Sequence, residues 1–260
     1  MVYVMLSRVC SLEQINILNE FDKSKMYPNI RALEELQRLD KISRNKNLTI
    51  WETMDKDSIK ISSLNCRSLR KHHEDIYSDS LLMKSDIIGL QETWLENDED
   101  IRNLAIEKYN LIVNSHGRGK GIATYFNKNI FKPDVAVNDT HMQLSKFTSS
   151  TLDVIFIYRS QQADFIQLNR KIDQMTSKNK PLLVIGDLNF CYLEASNATK
   201  SYLKENKFKQ LITEPTHIGG HLLDHAYLKD KNETLEYSVE VQSKYYTDHK
   251  GLAINLKKVY

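Results

Sequence analysis

The stretch from Leu182 to Phe190, LLVIGDLNF, decides the fold. Its first four residues are apolar without interruption and turn β-branched, the pattern of a strand covered on both faces. Gly186 stops the run, and Asp187 and Asn189 follow with side chains on the same side. In an α/β sheet, ligands bind beyond the carboxyl ends of the strands, so this acid and this amide lie where chemistry is done.

Working outward, strand and helix patterns mix from Ser58 onward. IKISSLN, DIIGLQE, GIATYF, LDVIFIY and PLLVIGD predict strands, as do HAYLK, YSVEVQ and GLAINLK near the end. LRKHHEDIYSDSLLM, DFIQLNRKIDQM and ATKSYLKENKF predict helices. Helices grouped between strands that are often hairpin-adjacent point to an α/β sandwich of mixed sheets, not a purely parallel sheet. Before Ser58 the pattern differs. VYVMLSR alternates like a short strand, Ser11 and Gln14 have capping-box spacing, YPNIRALEELQRLDKI reads as a helix, and SRNKNLTIWETMDKD reads as a linker. The predicted division is therefore 1–57 and 58–260.

The chain of 260 residues is 41% hydrophobic, enough for one large core. Its net charge of +2, from 36 basic against 34 acidic residues, excludes a protein that coats polyanions indiscriminately. Any polyanion must be met locally. No run approaches the roughly 18 apolar residues of a membrane span, and the N-terminus lacks the features of a cleavable leader, so secretion is not expected. Cys10, Cys66 and Cys191 form no CxxC pair, which suits buried thiols in a reducing compartment.

Polar residues recur where strands end: Asn65, Gln91 and Glu92, Tyr158 and Arg159, Asp187 and Asn189, then Asp224, Asp248 and His249. Carboxylates such as Glu92 are hard oxygen donors that suit Mg²⁺. A neutral Asn can orient a water or bond a phosphate oxygen without repulsion. A His beside acids is held cationic or correctly oriented, ready to meet charge developing on phosphate. This inventory fits phosphodiester hydrolysis.

Other features read as structural. SHGRGKGIATYF lacks the Ser/Thr of a phosphate loop and precedes a strand, so it predicts a hairpin turn. His217, His221 and His225 recur every four residues, but Gly219, Gly220 and Pro215 deny them a zinc-binding helix. His116 and His141 read as surface imidazoles, and Lys200, Lys204, Lys207 and Lys209 as a solvated face.

LNCRSL, LQETWL, IYRS, GDLNF, EPTH, LLDHAYL and YYTDHKGLAI occur in an order that resembles the endonuclease/exonuclease/phosphatase superfamily. That superfamily includes DNase I, apurinic endonucleases and the endonucleases of non-LTR retrotransposons, and NCRSL and QETWL resemble the last of these. The resemblance implies a DNase I-like, four-layered α/β sandwich with two packed mixed, mainly antiparallel sheets. It also implies Mg²⁺, with Mn²⁺ as substitute, and DNA as the substrate nicked by water attack. Glu92 would be the principal metal ligand, with Asn65 beside it and Asp248 at the metal side. Asp187 would orient or deprotonate the water, and Asn189 would hold the scissile phosphate. His249, supported by Asp224, would stabilise the pentacovalent transition state, while Tyr158 and Thr216 would contact phosphate oxygens. Arg67 departs from apurinic endonucleases, which place an acid there.

The segment VYVMLSRVCSLEQINIL resembles the last motif of RecD-like helicases, with Arg8 at the position that reaches a nucleotide γ-phosphate. The chain has no GxxxxGK[ST] loop, so ATP hydrolysis is not expected. Together the two resemblances imply a transposable-element protein of the Helitron kind, intracellular and nuclear, monomeric and off the membrane. Two alternatives stand beside this reading: a phosphatase of inositol phosphates or lipids with the same fold, and a non-catalytic, DNA-binding remnant.

Overall fold

The computed structural model describes residues 58–259 except 96–100, 115–116, 178 and 195–196. The expectations for residues 1–57, including Arg8 and Cys10, and for His116 lie outside the described residues. In chain order the elements begin with β1 (Ile59–Asn65), α1 (Leu69–Ser78), α2 (Ser80–Met83), β2 (Ile87–Gln91), β3 (Asn110–Asn114), β4 (Ile122–Phe126), β5 (Lys132–Asn138) and β6 (Met142–Thr148). There follow β7 (Asp153–Arg159), α3 (Phe165–Met175), β8 (Leu182–Asp187), α4 (Ala198–Glu205), β9 (Lys209–Gln210), β10 (Asp224–Lys229), β11 (Leu235–Gln242) and β12 (Gly251–Lys258).

These strands form two six-stranded sheets, ordered β11-β12-β1-β2-β4-β3 and β5-β6-β7-β8-β10-β9. Each sheet has one parallel pair at its centre, β1 with β2 and β7 with β8, and its other pairs are antiparallel. The period-two alternation hidden in the apolar runs separates the layers. Leu183 and Ile185 face inward to meet Ile61, Ile87 and Phe156 between the sheets, while Leu182 and Val184 face outward onto Leu168 and Ile172 of α3 and Leu203 of α4. On the other side, Leu64, Ile88 and Leu90 pack beneath Leu69, Ile76 and Leu82 of α1 and α2. The expected mixed sandwich is therefore a helix, sheet, sheet, helix stack.

Two glycines permit close approach. A Cβ on Gly89 would fall 1.9 Å from the Phe156 ring of the opposite sheet, so the central strands interlock there. Gly186 has φ of 142° and its missing Cβ would meet the Ile157 carbonyl at 2.0 Å, so it turns the end of β8 towards Asp187 with no side chain in the way.

The helix expected over LRKHHEDIYSDSLLM is two helices. Asp79 adopts an extended conformation between them and its carboxylate accepts from the Leu81 and Leu82 N–H groups, capping α2. SHGRGKGIATYF does join the antiparallel β3 and β4, as a hairpin connection should.

Candidate active site

The carboxyl ends of the parallel strands and the starts of β10 and β12 meet at one end of the sandwich. Register fixes the meeting: Asp187 lies opposite Tyr158 on β7 and opposite Asp224 on β10, while Asn65 lies opposite Gln91 on β2. A cleft of about 710 Å³ opens there, lined among others by Glu92, Asn189, His249, Asp248, Arg67 and His217.

Asn65 joins the two sheets. Its amide nitrogen donates to Glu92 Oε1 at 2.9 Å and to Asp187 Oδ2 at 2.8 Å, and its Oδ1 accepts from the Arg67 N–H at 3.2 Å. Turning the amide round would aim an oxygen at two carboxylates, so electrostatics selects this orientation. Asn65 is thus beside Glu92 as expected, donating to its carboxylate while its Oδ1 accepts from the Arg67 N–H. Glu92 Oε2 accepts from the Trp94 indole N–H at 3.3 Å, a partner that sequence reasoning missed.

Asp187 is fully buried. Its Oδ1 accepts from the Asn189 backbone N–H at 2.8 Å and its Oδ2 from the Asn65 amide. Burial and then the Asp224 carboxylate push the Asp187 carboxyl above the usual range, with His249 pulling in the opposite direction. Asp187, Asp224 and His249 bring their donor atoms within 4.8 Å of one another.

His249 Nδ1 bonds Asp224 Oδ2 at 2.8 Å. Burial alone would lower the imidazole pKa, but Asp224, its hydrogen bond, Asp187 and Asp248 outweigh that and raise it to about 9. The ring is therefore cationic at neutral pH, with Nδ1–H spent on Asp224 and Nε2–H left to donate. Thr216 is fully buried behind this couple, its hydroxyl accepting from the Leu223 and Asp224 N–H groups at 3.1 and 2.9 Å. The expected phosphate contact from Thr216 is corrected accordingly: it anchors the residue that holds His249.

Tyr158 ends β7 opposite Asp187. The residue is 5% exposed, its hydroxyl donates to the Gly119 carbonyl at 2.8 Å, and burial raises its pKa. It fixes the β3–β4 connection against the site, with Glu92, Asp187 and Asn189 acting on its hydroxyl. Asn189, with φ of 49°, lines the cleft, but its amide N–H groups go to the Arg159 carbonyl at 2.9 Å and Asp187 at 3.3 Å. Its Oδ1, rather than its amide nitrogen, is the group left for a ligand.

Asp248 is met by cations. Its Oδ2 pairs with Arg67 and lies 3.5 Å from His217 Nε2, while its Oδ1 is buried without a hydrogen-bond partner. Burial resists ionisation, but His249 and Arg67 hold the carboxyl below its usual pKa. His217 packs edge-on to His249 with ring centroids 5.0 Å apart, a neighbour that the EPTH motif did not reveal. His217 and His221 lie in the cleft wall on a non-helical loop, and His225 is fully buried on β10, so the fourfold spacing is no helix face. Cys66 and Cys191 are free, buried thiols, as expected.

The cleft therefore combines an imidazolium at His249 and oxygen donors at Glu92 and Asp248, with the buried Asp187 carboxylate beside the imidazolium. Such a set can deprotonate water and stabilise an anion.

The sequence profile of the Endonuclease/Exonuclease/phosphatase family matches residues 62–249. No curated protein sequence matches the chain. Solved structures share its fold. An AP endonuclease from Archaeoglobus fulgidus is 15% identical, with a TM-score of 0.58 over 75% of this chain and 98% of that one. The endonuclease domain of TRAS1, a telomere-specific non-LTR retrotransposon, is 13% identical, with a TM-score of 0.57 over 77% and 99%. The 3′ phosphatase NExo from Neisseria, bound to a product DNA hairpin, is 15% identical, with a TM-score of 0.56 over 78% and 100%.

Proposed function

The chain belongs to the endonuclease/exonuclease/phosphatase family, and from that premise we propose that it is a divalent-metal-dependent DNA endonuclease that nicks one strand by water attack. The observation that carries this reading is the placement of buried Asp187 beside the Asp224–His249 couple, next to a cleft that His249, Glu92 and Asp248 line.

Asp187 takes the proton from the attacking water. Its raised pKa makes it a stronger base than a solvated carboxylate, and the bonds from Asn65 and the Asn189 N–H fix its direction. Asn189 Oδ1 orients that water. His249 donates from Nε2 to a non-bridging phosphate oxygen as negative charge builds, and Asp224 keeps the ring charged and aimed.

The donor set fits Mg²⁺ or Mn²⁺. Glu92 keeps a lone pair on each oxygen beyond its bonds to Asn65 and Trp94, and Asp248 has a buried oxygen with no partner. Glu92 and Asp248 would hold the ion, which when bound supplies positive charge to the phosphate and to the leaving oxygen.

The neighbours that act on or bind DNA support DNA as the substrate. The resemblance of VYVMLSRVCSLEQINIL to a helicase motif, together with the TRAS1 fold neighbour, supports an origin in a transposable element. Among the described residues no helix is long and apolar enough to cross a membrane.

The test is a paired assay with Mg²⁺: supercoiled plasmid in one arm, inositol phosphates and phospholipid in the other, each repeated in EDTA. Metal-dependent appearance of open circles, with no phosphate released in the second arm, is expected. Hydrolysis confined to the second arm overturns the DNA reading.

A further inference from the structure

A second groove of about 390 Å³ adjoins the catalytic cleft, with Arg67 and Asp248 lining both. Its other walls include Lys71, Trp94, Ile218 and Tyr245. Tyr245 is 86% exposed and Ile218 77%, the two most exposed large hydrophobic residues among those described. Single exposed apolar residues are ordinary on a surface; two of them on one groove that opens into an active site are not.

Tyr245 is also fixed in place. Its hydroxyl donates to Asp75, and its ring packs edge-on to Tyr246 with centroids 5.1 Å apart. Tyr246 in turn donates to Asp79 at 3.2 Å and packs against His72 at 5.5 Å. Trp94 is tethered by its indole N–H to Glu92 and has the Arg118 guanidinium 5.8 Å from its ring centre. Both rings are held at their polar ends, so binding a flat partner costs them little conformational freedom. Arg67 and Lys71 supply cations on the same path.

We propose that Tyr245 and Trp94 form a stacking platform for an unpaired base next to the scissile phosphate, so that the preferred substrate is DNA with single-stranded character at the cleavage site. This rests on the DNA-nicking reading above. In a uniform duplex each base face is covered by its neighbours, and a rigid ring meets only backbone and groove edges. An unpaired nucleotide offers its face to the ring and its phosphate to Arg67 or Lys71. Stacking of one base on an aromatic side chain translates to about a tenfold gain in kcat/KM over the duplex.

The experiment uses the full chain with Mg²⁺ and three oligonucleotides of one sequence: a uniform duplex, the same duplex with a short unpaired stretch, and the single strand. Wild type is expected to favour the substrates with unpaired bases by about tenfold. Tyr245→Ala should bring that ratio close to one, and Tyr245→Trp should restore it, which a merely structural role of the phenol would not do. As a direct readout, 2-aminopurine in the unpaired stretch should be quenched on binding to the Asp187→Asn chain and less so when Tyr245→Ala is added. Equal cleavage of all three DNAs without quenching overturns the platform while leaving the nuclease reading intact. Failure to cleave any DNA overturns both.

Discussion

The amide of Asn65, at the end of β1, donates to the carboxylate of Asp187, at the end of β8, across 2.8 Å and 122 residues of chain. One hydrogen bond thus ties the two sheets together at the point where the proposed base acts. Asn65→Ala should lower nicking by about 10²-fold and cost roughly 1–3 kcal/mol in urea denaturation, because a buried carboxylate loses a donor. Asn65→Asp, which sets a third carboxylate between Glu92 and Asp187, should be worse on both counts. An Asp variant as active as wild type would mean that the amide has no part in holding the base.

The metal-free chain should lose stability in alkali through His249. Its pKa of about 9 lies above the ordinary 6.5, so its contribution is fully present below pH 6.5 and disappears as the pH rises through 9. The raised Asp187 carboxyl has the same sign but titrates lower, so comparison above pH 8 isolates the imidazole. In EDTA, the stability gap between wild type and His249→Gln should shrink by on the order of 1 kcal/mol between pH 8 and pH 10. A gap that stays constant over that interval would show that the ring is neutral in the fold.

The loop that delivers Asp248 and His249 depends on a buried ion pair. Lys244, 4% exposed, pairs with Asp79, which also caps α2 and accepts from Tyr246. Burial lowers the Lys244 pKa and Asp79 opposes that change. Asp79→Ala leaves a buried ammonium without its paired carboxylate, bonded to the Gln242 amide oxygen, and should cost about 3–5 kcal/mol, whereas Asp79→Asn combined with Lys244→Met should recover most of the loss. Equal destabilisation of the single and double variants would place the effect in the helix cap alone.

Much of this arrangement was legible in the sequence where local pattern and tertiary position coincide. Leu182 to Asp187 is buried on both faces, and its apolar run says so. β3, β5, β6 and the two-residue β9 are not among the predicted strands. β5 is exposed over nearly its whole length and carries Pro133, while β6 buries Gln143, Ser145 and Lys146 against partners on other segments: the Gly121 N–H, the Asn114 amide, and the Asp134 and Asp153 carboxylates. In the site, the motifs brought Glu92, Asp187, Asp224, Asp248 and His249 to one end of the sandwich. The directions of the Asn65, Tyr158 and Thr216 side chains escaped, because each is set by a partner distant in sequence or by its own burial. The bond from Trp94 to Glu92 escaped too, since it depends on the positive φ of both residues in the turn after β2.

Glu92 and His249 should fail in different ways. Glu92→Gln should raise the Mg²⁺ concentration for half-maximal nicking, because an amide oxygen holds a hard dication less well than a carboxylate. His249→Ala should lower the maximal rate at saturating Mg²⁺, since its proposed bond is to phosphate. A metal titration of each variant checks this division. Rescue of the His249 variant by excess Mg²⁺ would contradict it.

The most direct test of the account is the rate at which wild type and Asp187→Asn, purified identically, convert supercoiled plasmid to open circles in Mg²⁺. Nicking by wild type and a loss of at least about 10²-fold in the variant are expected, with the fold retained in both by urea denaturation. Nicking by the variant at the wild-type rate would contradict it, since the water would then be activated by some other group.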